Sequence, residues 1–134
     1  KKNPNVKKHV VVDEAWHFMK YEDSANFLEN MSRRGRKRVA GLITATHGFY
    51  EFTGSQQGKS ILTNSATMML MRQSPADIDA IKELLNLPMG QLDVVRKLEI
   101  GEGLLRLGDR ATAVRVTAMP FESGLIQTGV TAMS

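Results

Sequence analysis

Two adjacent carboxylates, Asp13 and Glu14, directly follow a short apolar run at residues 10–12. This order is typical of a Walker B segment, in which a buried strand carries an aspartate to the carboxyl edge of a parallel sheet. At that edge Asp13 could hold Mg²⁺, directly or through water. Glu14 could orient and activate the water that attacks a nucleotide γ-phosphate. The same pattern also fits an ordinary buried strand that ends in an acidic turn.

The elements that would position these carboxylates alternate between strands and helices. Hydrophobic periodicity predicts strands at residues 10–12, 39–46, 67–72, 103–107 and 112–117, the last two joined by a turn at 108–110. Helices are predicted up to residue 19 and at 23–34, 75–85 and 89–98, with a loop and a short helix within 47–64. The alternation predicts an α/β domain with a mostly parallel sheet flanked by helices and a hairpin at one edge.

Capping residues predict where three of these helices begin or end. Asp23 or Ser24 is the expected N-cap of the helix at 23–34, and Gly35 is its expected stop. Ser74 followed by Pro75 predicts the start of the helix at 75–85. Residues 1–122 are expected to form one domain, and residues 123–134 a flexible tail.

His47 directly follows the second predicted strand. Neighbouring parallel strands end at the same edge of a sheet, so its side chain is expected beside Asp13 and Glu14. There it could contact the γ-phosphate or the attacking water, with a charge that is adjustable near neutral pH. A histidine that merely caps the strand end fits the position equally well.

The densest positive charge lies at residues 33–38, where five of six residues are Arg or Lys. The run could be a solvated helix end, because cations are favoured there by the helix dipole. Alternatively, an arginine could reach the nucleotide of a neighbouring subunit and stabilise charge in the transition state. A third possibility is contact with the phosphate backbone of DNA or RNA, without aromatic residues for base stacking. Local sequence does not separate the last two possibilities.

Residues 54–60 have the sequence Gly-Ser-Gln-Gln-Gly-Lys-Ser. This segment resembles a phosphate-binding loop but is one residue too short for the Walker A pattern. No buried strand is predicted before it, and it lies downstream of the acidic strand. A phosphate loop requires a strand that leads into it and a helix N-terminus that receives the phosphate. We therefore predict that this segment is not a Walker A motif, and no other candidate is found in the sequence.

Composition is that of a soluble globular domain, with 42% hydrophobic and 24% charged residues. No apolar stretch approaches the ~18 residues of a transmembrane helix. Absence of cysteine excludes disulfides and thiolate metal sites and is compatible with the cytosol. The formal net charge of +4 permits an acidic partner without requiring one.

In these motifs the chain resembles the C-terminal motor domain of conjugative-transfer ATPases. These are the VirB/TraC/TrbE-type ATPases of type IV secretion systems, within the FtsK–HerA branch of RecA-like motors. The resemblance rests on the Asp-Glu-Ala-Trp string at residues 13–16, the Arg36-Lys37 pair and the strand at 41–46. It continues in the same order through residues 61–64, 69–73, 101–107 and 120–122.

The resemblance implies a RecA-like core that assembles as a hexamer and hydrolyses ATP, with Mg²⁺, at subunit interfaces. It implies a cytoplasmic protein, peripheral at the inner membrane, with type IV secretion channel components as partners and DNA as a further candidate. Carried over, Asp13 is the Mg²⁺ aspartate and Glu14 the catalytic glutamate. Arg36 is the first choice for the interface arginine and Arg34 the second. Arg72 is a candidate for phosphate contact.

Two features depart from the family pattern. The second strand of these ATPases usually ends in Thr-Gln, whereas His47 stands at the glutamine position, so its sensor role is altered or lost. Walker A precedes Walker B in the family and is missing here. Residues 1–122 are therefore predicted to be the C-terminal portion of a RecA-like ATPase domain, and the 134 residues alone to be inactive in ATP hydrolysis.

Three alternatives compete with this interpretation. A coupling-protein ATPase that delivers DNA to the channel is a close relative. A DEAD/DEAH-type helicase has similar second and third motifs, but its Arg-rich motif belongs to a second domain rather than between them. A non-catalytic interaction domain with a motor fold would explain the missing phosphate loop. It would not explain why both Asp13 and Glu14 are retained.

Overall fold

The computed structural model describes residues 6–122, except for the side chains of Arg36 and Arg38. The predicted tail at 123–134 lies outside the described residues. The strands are β1 (Lys8–Val12), β2 (Ala40–Thr44), β3 (Thr67–Leu70), β4 (Glu102–Leu107) and β5 (Arg110–Arg115). The α-helices are α1 (Trp16–Met19), α2 (Glu22–Arg34), α3 (Phe49–Thr53), α4 (Gln56–Asn64), α5 (Pro75–Leu85) and α6 (Met89–Lys97). Two 3₁₀ turns lie at Gly35–Arg38 and Pro120–Glu122.

The strands form two sheets. β1 and β2 pair in parallel, with Val12 opposite Thr44, and β3–β4–β5 is antiparallel in that order. The predicted α/β class and the β4–β5 hairpin are confirmed. The parallel part is smaller than expected among the described strands, because β3 pairs antiparallel with β4 instead of extending the parallel sheet.

The N-terminus of α5 agrees with the prediction, whereas the N-terminus of α2 does not. The Ser74 hydroxyl accepts a hydrogen bond from the backbone N–H of Asp77 at 3.2 Å, which confirms the predicted cap of α5. The N-cap of α2 is Tyr21, without a side-chain bond, so the expectation of Asp23 or Ser24 was wrong. Asp23 lies instead in the first turn, where the helix dipole favours a carboxylate.

Gly35 ends α2, as predicted, but for a steric reason. The backbone of Gly35 passes so close to β2 that a Cβ atom there would lie 2.5 Å from the carbonyl oxygen of Ala40. Its φ of −55° is helical, and the chain continues into the 3₁₀ turn. The glycine therefore allows the chain to fold tightly back from α2 into β2.

Helix α4 was not predicted. The segment 47–64 was expected to hold a loop and one short helix, which is α3, but a second helix begins after Ser55. The Ser55 hydroxyl accepts a hydrogen bond from the N–H of Gly58 at 3.0 Å and caps this helix. Ile61 is buried on its inner face, so packing stabilises a helix that composition alone did not indicate.

The buried apolar residues form two clusters. The larger lies among α3, α5, α6 and the antiparallel sheet and contains Phe49, Leu70, Ile78, Ile81, Leu85, Leu87, Leu92, Val95, Leu98 and Leu104. The smaller lies beside the parallel sheet and contains Val12, Ala15, Leu28, Phe52 and Ile61. Helix α3 contributes Phe49 to the first cluster and Phe52 to the second, so it connects the two.

Candidate functional site

The carboxyl ends of β1 and β2 remain joined beyond the last strand residues. The N–H of Ala45 donates to the carbonyl of Val12, and the N–H of Ala15 donates to the carbonyl of Ala45, both at 2.9 Å. These bonds hold the segment after β1 against the segment after β2. Asp13 and Glu14 therefore lie at the edge of the parallel sheet where the sequence predicted them.

The Glu14 carboxylate is held by two side chains on one oxygen. The indole N–H of Trp16 donates to Glu14 Oε2 at 2.7 Å, and His47 Nδ1 lies 2.7 Å from the same oxygen. The predicted proximity of His47 to the acidic pair is thus confirmed. The contact is open to solvent, since 51% of the Glu14 side chain and 69% of the His47 side chain are exposed.

These contacts keep Glu14 ionised. The hydrogen bond from Trp16 is the largest cause that lowers the pKa of the Glu14 carboxyl below its ordinary value of 4.5. The hydrogen bond and the positive charge of His47 act in the same direction, and partial desolvation opposes them. A carboxylate with a lowered pKa is a weak base but a good hydrogen-bond acceptor. Its arrangement therefore suits orienting a water molecule better than removing a proton early.

The backbone of Glu14 adopts an unusual conformation. Its φ is +50°, in the left-handed region that residues with a side chain rarely occupy. Such a conformation costs on the order of 1–3 kcal/mol and is found most often at functional sites. The turn it creates leads directly into α1 and places Trp16 two residues away, within reach of the Glu14 carboxylate.

Trp16 is enclosed by other polar and aromatic side chains. The His17 ring lies 3.8 Å away between centroids, tilted by 30°, and the His47 ring meets Trp16 edge-on at 5.3 Å. Lys20 Nζ lies over the indole, 4.3 Å from its centroid, which is a cation–π geometry. No role for Trp16 was predicted from the sequence. The available signal was the need of a partly buried indole N–H for a partner.

Asp13 is exposed at the same edge, and its Oδ1 accepts a hydrogen bond from the Glu14 N–H at 2.9 Å. Within residues 6–122, no group of three or more His, Cys, Asp or Glu residues could hold a metal ion together. Mg²⁺ is usually bound through one or two carboxylates, with phosphate oxygens and waters completing its shell. A single exposed carboxylate at the strand end fits that donor set.

The candidate arginines lie away from the acidic pair. Arg34 is exposed at the last residue of α2, and the backbone of Arg36 lies in the 3₁₀ turn that precedes the amino end of β2. A five-residue strand is roughly 16 Å long, and this length separates the turn from the edge that carries Glu14. Within one chain, the backbones of Arg34 and Arg36 therefore lie at the opposite end of β2 from Asp13, Glu14 and His47.

Arg33 and Arg72 have different surroundings. Arg33 pairs with Glu29 at 2.8 Å and donates from Nε and Nη2 to the Ser60 hydroxyl, at 3.2 and 3.0 Å, which ties α2 to α4. Arg72 follows β3 in the antiparallel sheet, is exposed, and makes no hydrogen bond or ion pair with other residues in the described range 6–122. It is not part of the Glu14 cluster.

The segment at 54–60 follows helix α3 rather than a strand, as its rejection as a phosphate loop requires. A Cβ atom at Gly58 would lie 1.8 Å from the carbonyl oxygen of Phe52, so this glycine allows α3 and α4 to approach closely. Ser55 caps α4, and the buried Ser60 holds Arg33. The loop-like residues therefore serve packing and capping within this fold.

Residues 1–126 match the family model described as an AAA-like domain. The chain belongs to this family. Its fold and the acidic pair at the carboxyl edge of a parallel sheet agree with that class. None of the helices in the described part of the chain is long and apolar enough to cross a membrane.

Within this class, the chain is similar to VirB4 of Thermoanaerobacter pseudethanolicus, with 28% identity and a TM-score of 0.81 over 90% of the chain. It spans 34% of the length of that protein. The predicted RecA-like motor fold is thereby confirmed, and the chain is similar to about a third of VirB4.

The fold also resembles the genome packaging NTPase B204 of Sulfolobus turreted icosahedral virus 2. Its complex with ATP-gammaS matches with a TM-score of 0.65 and 14% identity, over 82% of this chain and 52% of that one. Its complex with AMPPCP matches with a TM-score of 0.67, also at 14% identity, over 82% and 55%. No curated protein sequence gives a significant match.

Proposed function

We propose that this chain is the C-terminal portion of an ATP-hydrolysing motor that powers type IV secretion during conjugative DNA transfer, in pilus assembly or substrate export. The observation that carries the proposal is the cluster at the carboxyl edge of β1 and β2. There an exposed Asp13 adjoins Glu14, and His47 from the neighbouring strand end reaches the Glu14 carboxylate at 2.7 Å. The AAA-like family match and the likeness to VirB4 support it.

Asp13 is the residue that would hold Mg²⁺ in this motor. The ion, when bound with ATP, supplies charge neutralisation at the phosphates. Asp13 Oδ1 accepts the Glu14 N–H, and Oδ2 accepts no hydrogen bond from the described residues, which leaves it available as a ligand. The same bond fixes the position of the metal-binding carboxylate relative to Glu14.

Glu14 orients the attacking water. Its lowered pKa keeps the carboxylate ionised at neutral pH, and an ionised carboxylate accepts a hydrogen bond from water. Phosphoryl transfer depends mostly on positioning and on stabilisation of charge, so a weakly basic but well-oriented carboxylate suits the reaction. His47 contacts the same carboxylate and is proposed to report, through that contact, on events at the end of β2.

The interface arginine is proposed to act on the nucleotide of a neighbouring subunit. Arg36 is the first candidate and Arg34 the second. Both precede the amino end of β2, whereas Glu14 lies at the carboxyl edge, so these arginines are far from the nucleotide site of their own chain. A ring, as in the proposed hexamer, would bring one subunit's basic turn to the next subunit's acidic edge. Arg72 is proposed as a weaker contact to phosphate.

The proposed place of action is the cytoplasmic face of the cell membrane, where the motor would associate with secretion-channel components. DNA is a further candidate partner. A coupling-protein ATPase or another DNA-translocating motor is the second candidate function, favoured by the fold shared with a genome packaging NTPase. A non-catalytic interaction domain with a motor fold is the alternative from a different class.

The proposal implies a longer motor protein that contains these residues together with a Walker A motif. Assays of ATP hydrolysis by that longer protein and by the 134 residues alone test it. We expect hydrolysis only from the longer protein, because residues 1–134 carry no phosphate loop. In the longer protein, Glu14→Gln should lower kcat by about 10²–10⁴-fold. The matched control is Glu22→Gln, which alters an exposed carboxylate at the start of α2 and should leave kcat unchanged. If the 134 residues alone hydrolysed ATP and Glu14→Gln abolished that activity, the prediction that they hold only part of the ATP site would be refuted.

A further inference from the structure

The two oxygens of the Glu14 carboxylate are not equivalent. Oε2 receives both the Trp16 indole N–H and the His47 ring nitrogen, each at 2.7 Å. No donor among residues 6–122 reaches Oε1, which lies on an exposed side chain. One oxygen is therefore held by the protein, and the other is left for a ligand.

Trp16 is itself well positioned to hold the Glu14 carboxylate. It packs against the smaller apolar cluster, and His17 and Lys20 contact its ring. An indole has only two side-chain torsions, so fixing it costs little conformational entropy, and its N–H is a donor that cannot turn into an acceptor. A bond from such a group determines the direction of the carboxylate that accepts it.

We propose that Trp16 is a positioning residue for Glu14. Its N–H, together with His47, fixes Oε2 so that Oε1 faces the attacking water. This inference rests on the proposed ATPase function. Without the two donors, the carboxylate of an exposed glutamate would rotate among several rotamers, and only a fraction of them would present an oxygen to the water.

The hydrogen bond can be tested without any nucleotide, because Trp16 is the single tryptophan of the chain. We expect Glu14→Ala to shift the emission maximum of Trp16, since it removes the carboxylate from the indole N–H. Glu22→Ala, at an exposed carboxylate on α2, should leave the emission unchanged. An emission spectrum that Glu14→Ala does not alter would overturn the proposal.

The positioning role is tested in the longer protein by Trp16→Phe, which keeps an aromatic ring and removes the donor. We expect kcat to fall by about 10–100-fold, the usual effect of losing a partner that orients a functional group. KM should stay unchanged, because Trp16 would not contact nucleotide. Tyr21→Phe is the matched control, since it removes a polar group from an exposed aromatic side chain just beyond α1.

His47→Ala provides a second variant at a more exposed position, where folding is less at risk. It should also lower kcat, and the double variant should lose less than the product of the two single losses, because both donors act on one oxygen. Unchanged kcat in Trp16→Phe, or strictly multiplicative losses, would overturn the positioning role. A wild-type protein without ATPase activity would refute the proposed function and the role together, while the emission result would still decide whether the bond exists.

Discussion

The parallel and antiparallel parts of the molecule differ in how their interiors are closed. Around β3–β5, α5 and α6, ten buried apolar residues form one cluster. Of the five largest side chains that are almost fully buried in the described part of the chain, four lie on α5 and α6, namely Ile78, Ile81, Leu92 and Val95. Around β1 and β2, the cluster has five members. Asp13, Glu14 and His47 all lie in the part with the smaller apolar cluster.

The outer face of the parallel sheet shows the same contrast. Val11 and Ile43 are directly opposite each other and are 66% and 50% exposed. Parallel sheets are normally covered on both faces, so this exposed pair is unusual for a parallel sheet. The antiparallel part thus contains most of the buried apolar residues, whereas the parallel part carries the candidate site and has a smaller apolar core.

The largest effect that could break this comparison comes from truncating one leucine in each cluster. Leu92→Ala and Leu28→Ala both remove side chains that are at most 1% exposed, and each should lower the free energy of unfolding by about 2–5 kcal/mol. We expect the larger loss for Leu92, whose cavity would be enclosed on all sides by the larger cluster. Urea unfolding followed by circular dichroism measures both; a larger loss for Leu28 would contradict the comparison.

The next effect concerns the connection between α3 and α4. Gly58→Ala should lower the free energy of unfolding by about 1–3 kcal/mol, because the new methyl group meets the Phe52 carbonyl. Gly90→Ala in α6 is the matched control, since nothing lies within 4 Å of the added atom. For Gly90→Ala we expect the free energy of unfolding to rise by about 0.4–1 kcal/mol. Thermal or urea unfolding distinguishes the two, and equal behaviour would argue against the close helix contact.

A smaller effect compares the serine caps of the two parts. Ser74→Ala and Ser55→Ala should each cost about 0.5–2 kcal/mol in the free energy of unfolding. Ser74→Ala should cost more, because the Ser74 hydroxyl also donates to Asp77 Oδ2 at 2.6 Å, and Asp77 is buried. Urea unfolding of both variants checks the order; an equal loss would mean that this second bond adds nothing.

The smallest effect on stability, yet the sharpest test of the site, is the titration of Glu14. Because the hydrogen bond from Trp16 is the largest single cause that lowers its pKa, Trp16→Phe should raise the pKa towards 4.5, and His47→Ala, which removes a hydrogen bond and a charge, should act in the same direction. The stabilisation is present above pH 4.5 and is lost as pH falls through the lowered value, so both variants should be slightly less stable than wild type above pH 4.5, and the difference should disappear in acid. Carboxyl NMR titration measures this, and Tyr21→Phe should leave the Glu14 pKa unchanged.

Local patterns predicted the elements whose signals are complete within a few residues. Helix α5 begins and ends at the predicted residues, because Ser74, Pro75 and the apolar spacing all indicate the same helix. Helix α4 was missed since its segment is polar and contains two glycines, and only its contact with α2 and α3 makes it favourable. The partner of β3 could not be predicted, because a four-residue strand does not specify which neighbour it pairs with.

The candidate site was predictable to the same extent. Parallel strand ends meet at one edge, so Asp13, Glu14 and His47 could be placed together from the sequence. The bond from Trp16 could not, because it depends on the left-handed backbone of Glu14, which turns the chain so that the indole reaches the carboxylate. Nothing in the residue types at positions 13–16 specifies that φ angle.

The close approach of α3 to α4 has a consequence for searches that recognise nucleotide-binding proteins by sequence pattern. Residues 54–60 would satisfy a pattern relaxed by a single position, yet Gly58 has a steric reason to be there, Ser55 caps α4, and Ser60 holds Arg33. Glycine at a close helix contact and serine at a helix N-terminus are favoured whether or not phosphate binds. A pattern search that tolerates gaps would therefore assign a phosphate-binding loop to this segment, although its glycine at position 58 is explained by the close contact between α3 and α4.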